Sequence, residues 1–204
     1  IGLAHYLAKR ELHYSDDKAA QEVGRLTEAF QYHLVSASVE LAKEKGACSA
    51  FQETKYARGV LPIDTYKKDI DEFLGNKLLM DWEGLRKDVK EHGMRHSTLS
   101  AQMPSESSSV VSNETNGIEP PRAFMNTKKS KKGPLKQIVP QYNKLKNNYS
   151  FLWDEGVNQG YIKIVAAMQK YFDQAISGNW SYNPKLYENN EVPMSVMFQD
   201  LLNT

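Results

Sequence analysis

The hydrophobic period of this chain switches at one place, and that switch limits the folds open to it. From Asp17 to Lys45 the apolar residues Val23, Leu26, Phe30, Leu34, Ala37 and Leu41 recur at three- and four-residue spacing. Gly46 follows where a helix stops. A helix of that length is roughly 43 Å long, and its apolar stripe needs an equally long surface to cover it. From His96 to Met103 the period falls to two, with Leu99, Ala101 and Met103 alternating with Thr98, Ser100 and Gln102. That alternation predicts a strand with one apolar and one polar face. A chain that holds both periods is a mixed α/β chain.

The remaining segments fill in around these two. "IDTYKKDIDEFL" predicts a short helix with Asp64 as its N-cap, and "DWEGLRKDVKEHGM" predicts another. In the second, Asp81 is the cap, Trp82, Leu85 and Val89 share a face, and Gly93 lies past the end. "RAFMNTKK", a turn at "SKKGP" and "LKQIVP" read as a β-hairpin. Tyr142, Leu145, Tyr149 and Leu152 predict one helical stripe, and Ile162, Val165, Phe172 and Ile176 a second that stops at Gly178. The organisation expected is helical over 1–95, then strand, loop and hairpin over 96–140, then helical over 141–204. No internal repeat is present.

Composition excludes more than it assigns. The net charge of +1 gives no global attraction to nucleic acid, and no apolar run reaches the ~20 residues that span a bilayer. One cysteine, Cys48, rules out an internal disulfide and a cysteine-based zinc cluster, and the chain reads as cytoplasmic. It opens at Ile1 inside one apolar helical pattern and closes near another, "VPMSVMFQDLLNT". Ends of that kind are expected to be cut out of, or to dock onto, a larger structure.

The period-two segment runs directly into "MPSESSSVVSN", Met103 to Asn113. Strand, tight loop of small hydroxyl residues, then helix is a layout that aims backbone N–H groups at an anion. Pro104 stops the strand, while Ser105, Ser107 and Ser108 add hydroxyl donors. Glu106 fits only if its N–H faces the anion and its carboxylate points away. The competing reading is a plain serine N-cap, with Ser105 or Ser107 capping the helix and no ligand present.

Other features carry less. His92 and His96 have a chelating spacing, but Gly93 separates them onto different elements, and no metal site is expected. Cys48 reads as a small packed side chain. Lys128 to Lys132 reads as a solvated hairpin turn, and Asn116-Gly117 as a tight turn. No catalytic constellation stands out.

Two segments, "KEKGACSAFQETKYARGVLPIDTYKKD" and "RHSTLSAQMPSESSSVVSNETNGIEPPR", resemble the large (α) subunit of class I ribonucleotide reductase of the aerobic bacterial and phage type. The likeness continues through "QIVPQY", "GYIKIVAAMQKYFDQAIS" and "VPMSVMFQDLL". The resemblance implies the C-terminal portion of a ten-stranded α/β barrel with flanking helices, in an enzyme that converts ribonucleoside diphosphates to deoxyribonucleoside diphosphates. It implies that Pro104, Ser105, Glu106, Ser107 and Ser108 cradle the substrate diphosphate. It places the radical cysteine, its glutamate and asparagine partners, the redox cysteine pair and the allosteric nucleotide sites on other segments. Cys48 matches none of these, so no catalytic residue and no metal is expected in this chain. The implied partners are the N-terminal segment, a second large subunit, thioredoxin or glutaredoxin, and a radical-generating small subunit that carries the metal cofactor. The alternative is a non-catalytic interaction module that keeps the fold.

Overall fold

The computed structural model describes residues 1–75, 77–130 and 133–203. Along the chain these form α1 (Leu3–Lys9), α2 (Asp17–Lys45), α3 (Asp71–Leu74), α4 (Trp82–His92), α5 (Glu106–Val111), β1 (Met125–Ser130), β2 (Gly133–Ile138), α6 (Tyr142–Leu145), α7 (Val157–Gln169) and α8 (Met194–Leu202). Single 3-10 turns fill the long connections, four of them between α2 and α3. The residues divide into two compact units: one of 1–20, 103–165 and 177–203, the other of Gln21–Gln102 with Ala166–Ile176.

The second unit is built on α2, whose limits are those the periodicity predicts. Its buried face is not. Phe30 is 62% exposed and Leu34 40%, whereas Val23, Val35, Val39 and Ala42 are buried. Between these lie the buried polar residues Thr27, Glu28, Gln31 and Ser38. Each finds a partner that apolar periodicity cannot reveal. The Thr27 hydroxyl donates to the Val23 carbonyl, and Gln31 Oε1 accepts from Ser100. Ser38 Oγ accepts from the His96 N–H and meets its Nδ1 at 3.0 Å. Glu28 Oε1 accepts from the Leu79 and Met80 N–H groups and from Trp82 Nε1 at 2.7, 3.0 and 3.1 Å.

Packed beside α2 is a core of Phe51, Tyr56, Leu61, Ile63, Trp82, Leu85, Val89, Met94 and Tyr171. Helix α4 follows its expected pattern: Asp81 accepts from the Gly84 N–H, three apolar residues face inward, and Gly93 ends it at φ 74°. Asp64 does not start a helix. It closes a 3-10 turn, accepts from the Leu61 N–H and pairs with Arg86. Cys48 lies half-buried against the core, and His92 and His96 sit on different elements.

The expected strand at His96–Met103 is absent as a named element; only an isolated parallel bridge between Gln102 and Ile176 is formed. A strand requires a neighbour for its ladder. This segment instead meets the irregular stretch after α7, through Gln174 N–H to Ser100 O and the Leu99 N–H to Asp173. The same pairing explains why α7 ends at Gln169 rather than running to Gly178: residues 173–176 are drawn into extended contact. Lys170 is 1% exposed, and its ammonium meets Asp71 Oδ1 at 2.7 Å and lies 4.4 Å from the Tyr66 ring centre.

In the first unit, α1 buries Leu3, Ala4, His5, Leu7 and Ala8. Tyr14 is 2% exposed; its hydroxyl donates to Ile118 O and its N–H donates to Ser150 Oγ. Gly160 on α7 faces the Tyr14 carbonyl so closely that no Cβ could fit between them. The hairpin forms as read, antiparallel from Met125↔Ile138 to Ser130↔Gly133, while the lysines 131 and 132 of its turn lie outside the described residues. The Tyr142–Leu152 stripe is not one helix, for only the turn α6 forms and Tyr149 leaves it to bond Pro140 O.

Two outcomes follow for stability. Gly160→Ala should cost about 1–3 kcal/mol by pushing α7 off the Tyr14 backbone, read as a lowered urea midpoint. Burial raises the Asp71 carboxyl, but hydrogen bonds from Lys170 and Tyr66 outweigh it and hold the group below the usual carboxylate range. Its stabilising contribution is therefore present above the unfolded carboxylate pKa and lost as pH falls through the depressed folded value. Asp71→Asn should remove that acid-side loss and cost roughly 3–5 kcal/mol at neutral pH, because it strands the buried Lys170 charge. Lys170→Met should cost less, since water reaches Asp71.

Candidate functional site

The serine-rich segment lies wholly in the first unit, where Glu106–Val111 forms the six-residue helix α5. Ser105 occupies the N-cap position with φ −122° and ψ 37°, and its carbonyl accepts the first helical bond, from the Ser109 N–H at 2.9 Å. Its hydroxyl does not cap the helix. Ser105 Oγ is buried and has no hydrogen-bond partner among the described residues. The plain serine-cap reading therefore fails for Ser105. The first-turn N–H groups of Ser107 and Ser108 have no acceptor within the helix and find none in that hydroxyl.

Pro104, Glu106, Ser107 and Ser108 are exposed, whereas Ser109 is fully buried and turns inward, its hydroxyl donating to Glu106 O at 2.8 Å. This alternation follows from helical geometry: the residue one turn past the cap faces the interior, and those between face out. The loop so presents a row of backbone donors and two exposed hydroxyls with partial positive charge from the peptide dipoles.

Behind the loop lies a turn that the Asn116-Gly117 pair predicts, although its role is not visible in that signal. Asn113 ends α5 in the left-handed region at φ 52°, and the Glu114 N–H returns to Ser109 O at 2.9 Å. Gly117, at φ 51°, brings the returning chain so near Ser105 that a Cβ there would stand 3.6 Å from its Oγ. The N-terminal segment holds this turn from the other side. Gly2 N–H donates to Thr115 O, Leu3 N–H to Gly117 O, and His5 Nδ1 lies 2.9 Å from both Glu114 carboxylate oxygens.

A cavity of about 220 Å³ opens beside the loop, lined among others by Glu106, Glu114, Thr115, Asn116, Arg122 and Gln137. Thr115 Oγ1 and Asn116 Oδ1 are buried and unpartnered among the described residues. Buried polar atoms without partners carry a cost of about 1–3 kcal/mol each, and they accumulate where a ligand or water supplies the missing bond. Below the cavity, burial and the Glu114 charge push the Tyr149 phenol well above its usual range, so it remains a donor to Pro140 O. Sequence reading missed Glu114, Thr115, Asn116 and Gln137, which reach the loop only through the turn and the hairpin.

The arrangement can bind an anion but holds no nucleophile with an adjacent base, and no group of three metal-ligating side chains occurs among the described residues. Cys48 belongs to the other unit.

Comparison with known proteins bears on what such a loop serves. The model of the ribonucleotide reductase barrel domain matches residues 1–203. The ribonucleoside-diphosphate reductase subunit alpha of Haemophilus influenzae is 55% identical over 202 residues, 99% of this chain and 27% of that protein. The Escherichia coli ribonucleoside-diphosphate reductase 1 subunit alpha is 52% identical over 202 residues, 99% of the chain and 26% of that protein. The subunit alpha of Enterobacteria phage T4 is 42% identical over 205 residues, again 99% and 27%. This chain thus spans about a quarter of the length of these relatives. It belongs to the ribonucleotide reductase barrel-domain family.

Proposed function

We propose that this chain is the C-terminal part of a ten-stranded catalytic barrel that reduces ribonucleoside diphosphates, and that Pro104–Ser108 holds the substrate's diphosphate. One observation carries the reading. At the N-terminal turn of α5 the Ser105 side chain makes no cap bond to the Ser107 or Ser108 N–H, and its own buried hydroxyl lacks a partner among the described residues. A diphosphate supplies acceptors to both. Ser107 and Ser108 stand exposed on the same turn to add hydroxyl bonds, and charge-assisted bonds of this kind are roughly twice as strong as neutral ones. The relatives are named ribonucleoside-diphosphate reductases, after a ligand with the required charge.

In this reading the chain's own residues bind and orient. Pro104 fixes the entry angle, Ser105 to Ser108 hold the phosphates, and the Glu106 carboxylate is turned from them. The radical cysteine, the redox cysteine pair and the effector sites belong to the N-terminal segment. The small subunit supplies the metal-based radical, thioredoxin or glutaredoxin returns reducing equivalents, and the assembly is a large-subunit dimer in the cytoplasm. His96–Met103, which pairs here with an irregular stretch, is one strand of the barrel once the segments on either side are present. Cys48 packs and takes no part in the chemistry.

In the complete reductase, Ser105→Ala, Ser107→Ala and Ser108→Ala should each weaken substrate binding by about 10- to 150-fold, the equivalent of roughly 1.5–3 kcal/mol per charge-assisted bond. Direct binding of a ribonucleoside diphosphate measures this, and unchanged affinity in all three variants would point instead to a non-catalytic interaction module. Assayed alone with the radical-generating subunit, the chain should give no turnover; measurable reduction without the N-terminal segment would sink the proposal.

A further inference from the structure

We infer that Gln137 is a positioning residue for the anion loop, an inference that rests on the reading of Pro104–Ser108 as a diphosphate cradle. Gln137 lies on β2, 28 residues beyond Ser109, yet its Nε2 donates to Glu114 O at 3.0 Å and reaches Ser109 O at 3.5 Å. Both acceptors are main-chain carbonyls, so the amide must turn its nitrogen toward them. They are the two residues that the Glu114 N–H to Ser109 O bond already joins where α5 hands over to its return turn. One side chain therefore fastens the helix end and the turn to the hairpin.

The consequence reaches the loop because α5 is short. Six residues rise only about 9 Å, so a tilt at the C-terminal end displaces the first-turn N–H groups by a comparable amount. Ser109 transmits the position directly, since its buried hydroxyl bonds back to Glu106 O at the first residue of the helix. The return turn acts in the same sense, because Gly117 backs Ser105. Hydrogen bonds to phosphate weaken steeply away from linear geometry, so a loop with a loosened rear end binds a diphosphate less well while leaving the rest of a nucleoside unaffected. The hairpin holds its own side fixed, with the antiparallel register intact to Met125↔Ile138 and the Val139 N–H bonded to Phe124 O.

The test compares two ligands in the complete reductase subunit. Equilibrium binding of cytidine diphosphate and of cytidine is measured for the wild type, Gln137→Glu, Gln137→Met and Ser107→Ala. Gln137→Glu keeps the shape but replaces the donor with an acceptor against two carbonyls; Gln137→Met removes the donor without charge and serves if the first variant does not fold. The inference expects diphosphate affinity to fall about tenfold in the glutamine variants, with cytidine affinity within twofold and the melting temperature nearly unchanged. A matching loss for both ligands would mark a merely structural residue and overturn the inference. Wild-type diphosphate affinity in the glutamine variants, with Ser107→Ala impaired, would overturn it and leave the cradle reading standing. An unimpaired Ser107→Ala alongside unimpaired glutamine variants would overturn both.

Discussion

A polar group taken out of water must find a partner, and that single constraint organises both halves of this molecule. Its clearest expression is Glu28. The carboxylate is 2% exposed in the middle of α2, yet one of its oxygens accepts three N–H bonds from residues 79, 80 and 82. An uncompensated charge at that depth would be prohibitive; held this way it fixes where the chain enters α4 and which way Trp82 points. Trp82 in turn stacks near Tyr171 and meets Tyr32 edge-on, so the aromatic centre of the unit inherits its geometry from a carboxylate.

The same constraint, left unmet, marks the site. In the first unit Ser105, Thr115 and Asn116 bury polar atoms that find no partner among the described residues, and they do so around one helix start and one cavity. Other buried groups are satisfied, as Tyr14 reaches Ile118 O, Tyr149 reaches Pro140 O and Ser109 reaches Glu106 O, while His5 Nε2, Tyr161 Oη and Gln31 Nε2 are buried without a partner among the described residues. Family membership places the segment in the ribonucleotide reductase barrel domain.

Much of the fold was legible wherever one local rule decides. Helix α2 has its expected ends, Asp81 caps α4, Gly93 stops it, and the hairpin pairs in register around its turn. Legibility failed where a partner distant in sequence decides. The inward face of α2 is set by Ser100, His96 and Trp82, so an apolar count picks Phe30 and Leu34, which lie exposed. Residues 96–103 alternate as a strand should, but alternation describes side chains and says nothing of which backbone is present to pair with. Asp64 has the chemistry of a cap and caps a 3-10 turn instead, because Arg86 and the Leu61 N–H claim it.

The sequence by itself determined α2, α4, the hairpin and the identity of the loop: small hydroxyl residues after a proline, at the start of a helix, cannot be mistaken for core. Only the tertiary structure decided that the Ser105 hydroxyl does not cap its own helix. A serine cap requires Ser105 Oγ to meet an N–H of its own helix. It does not. Placement of the turn rests on bonds from Gly2 and His5, more than a hundred residues before it, and from Gln137, 23 residues beyond Glu114, and no local pattern encodes them.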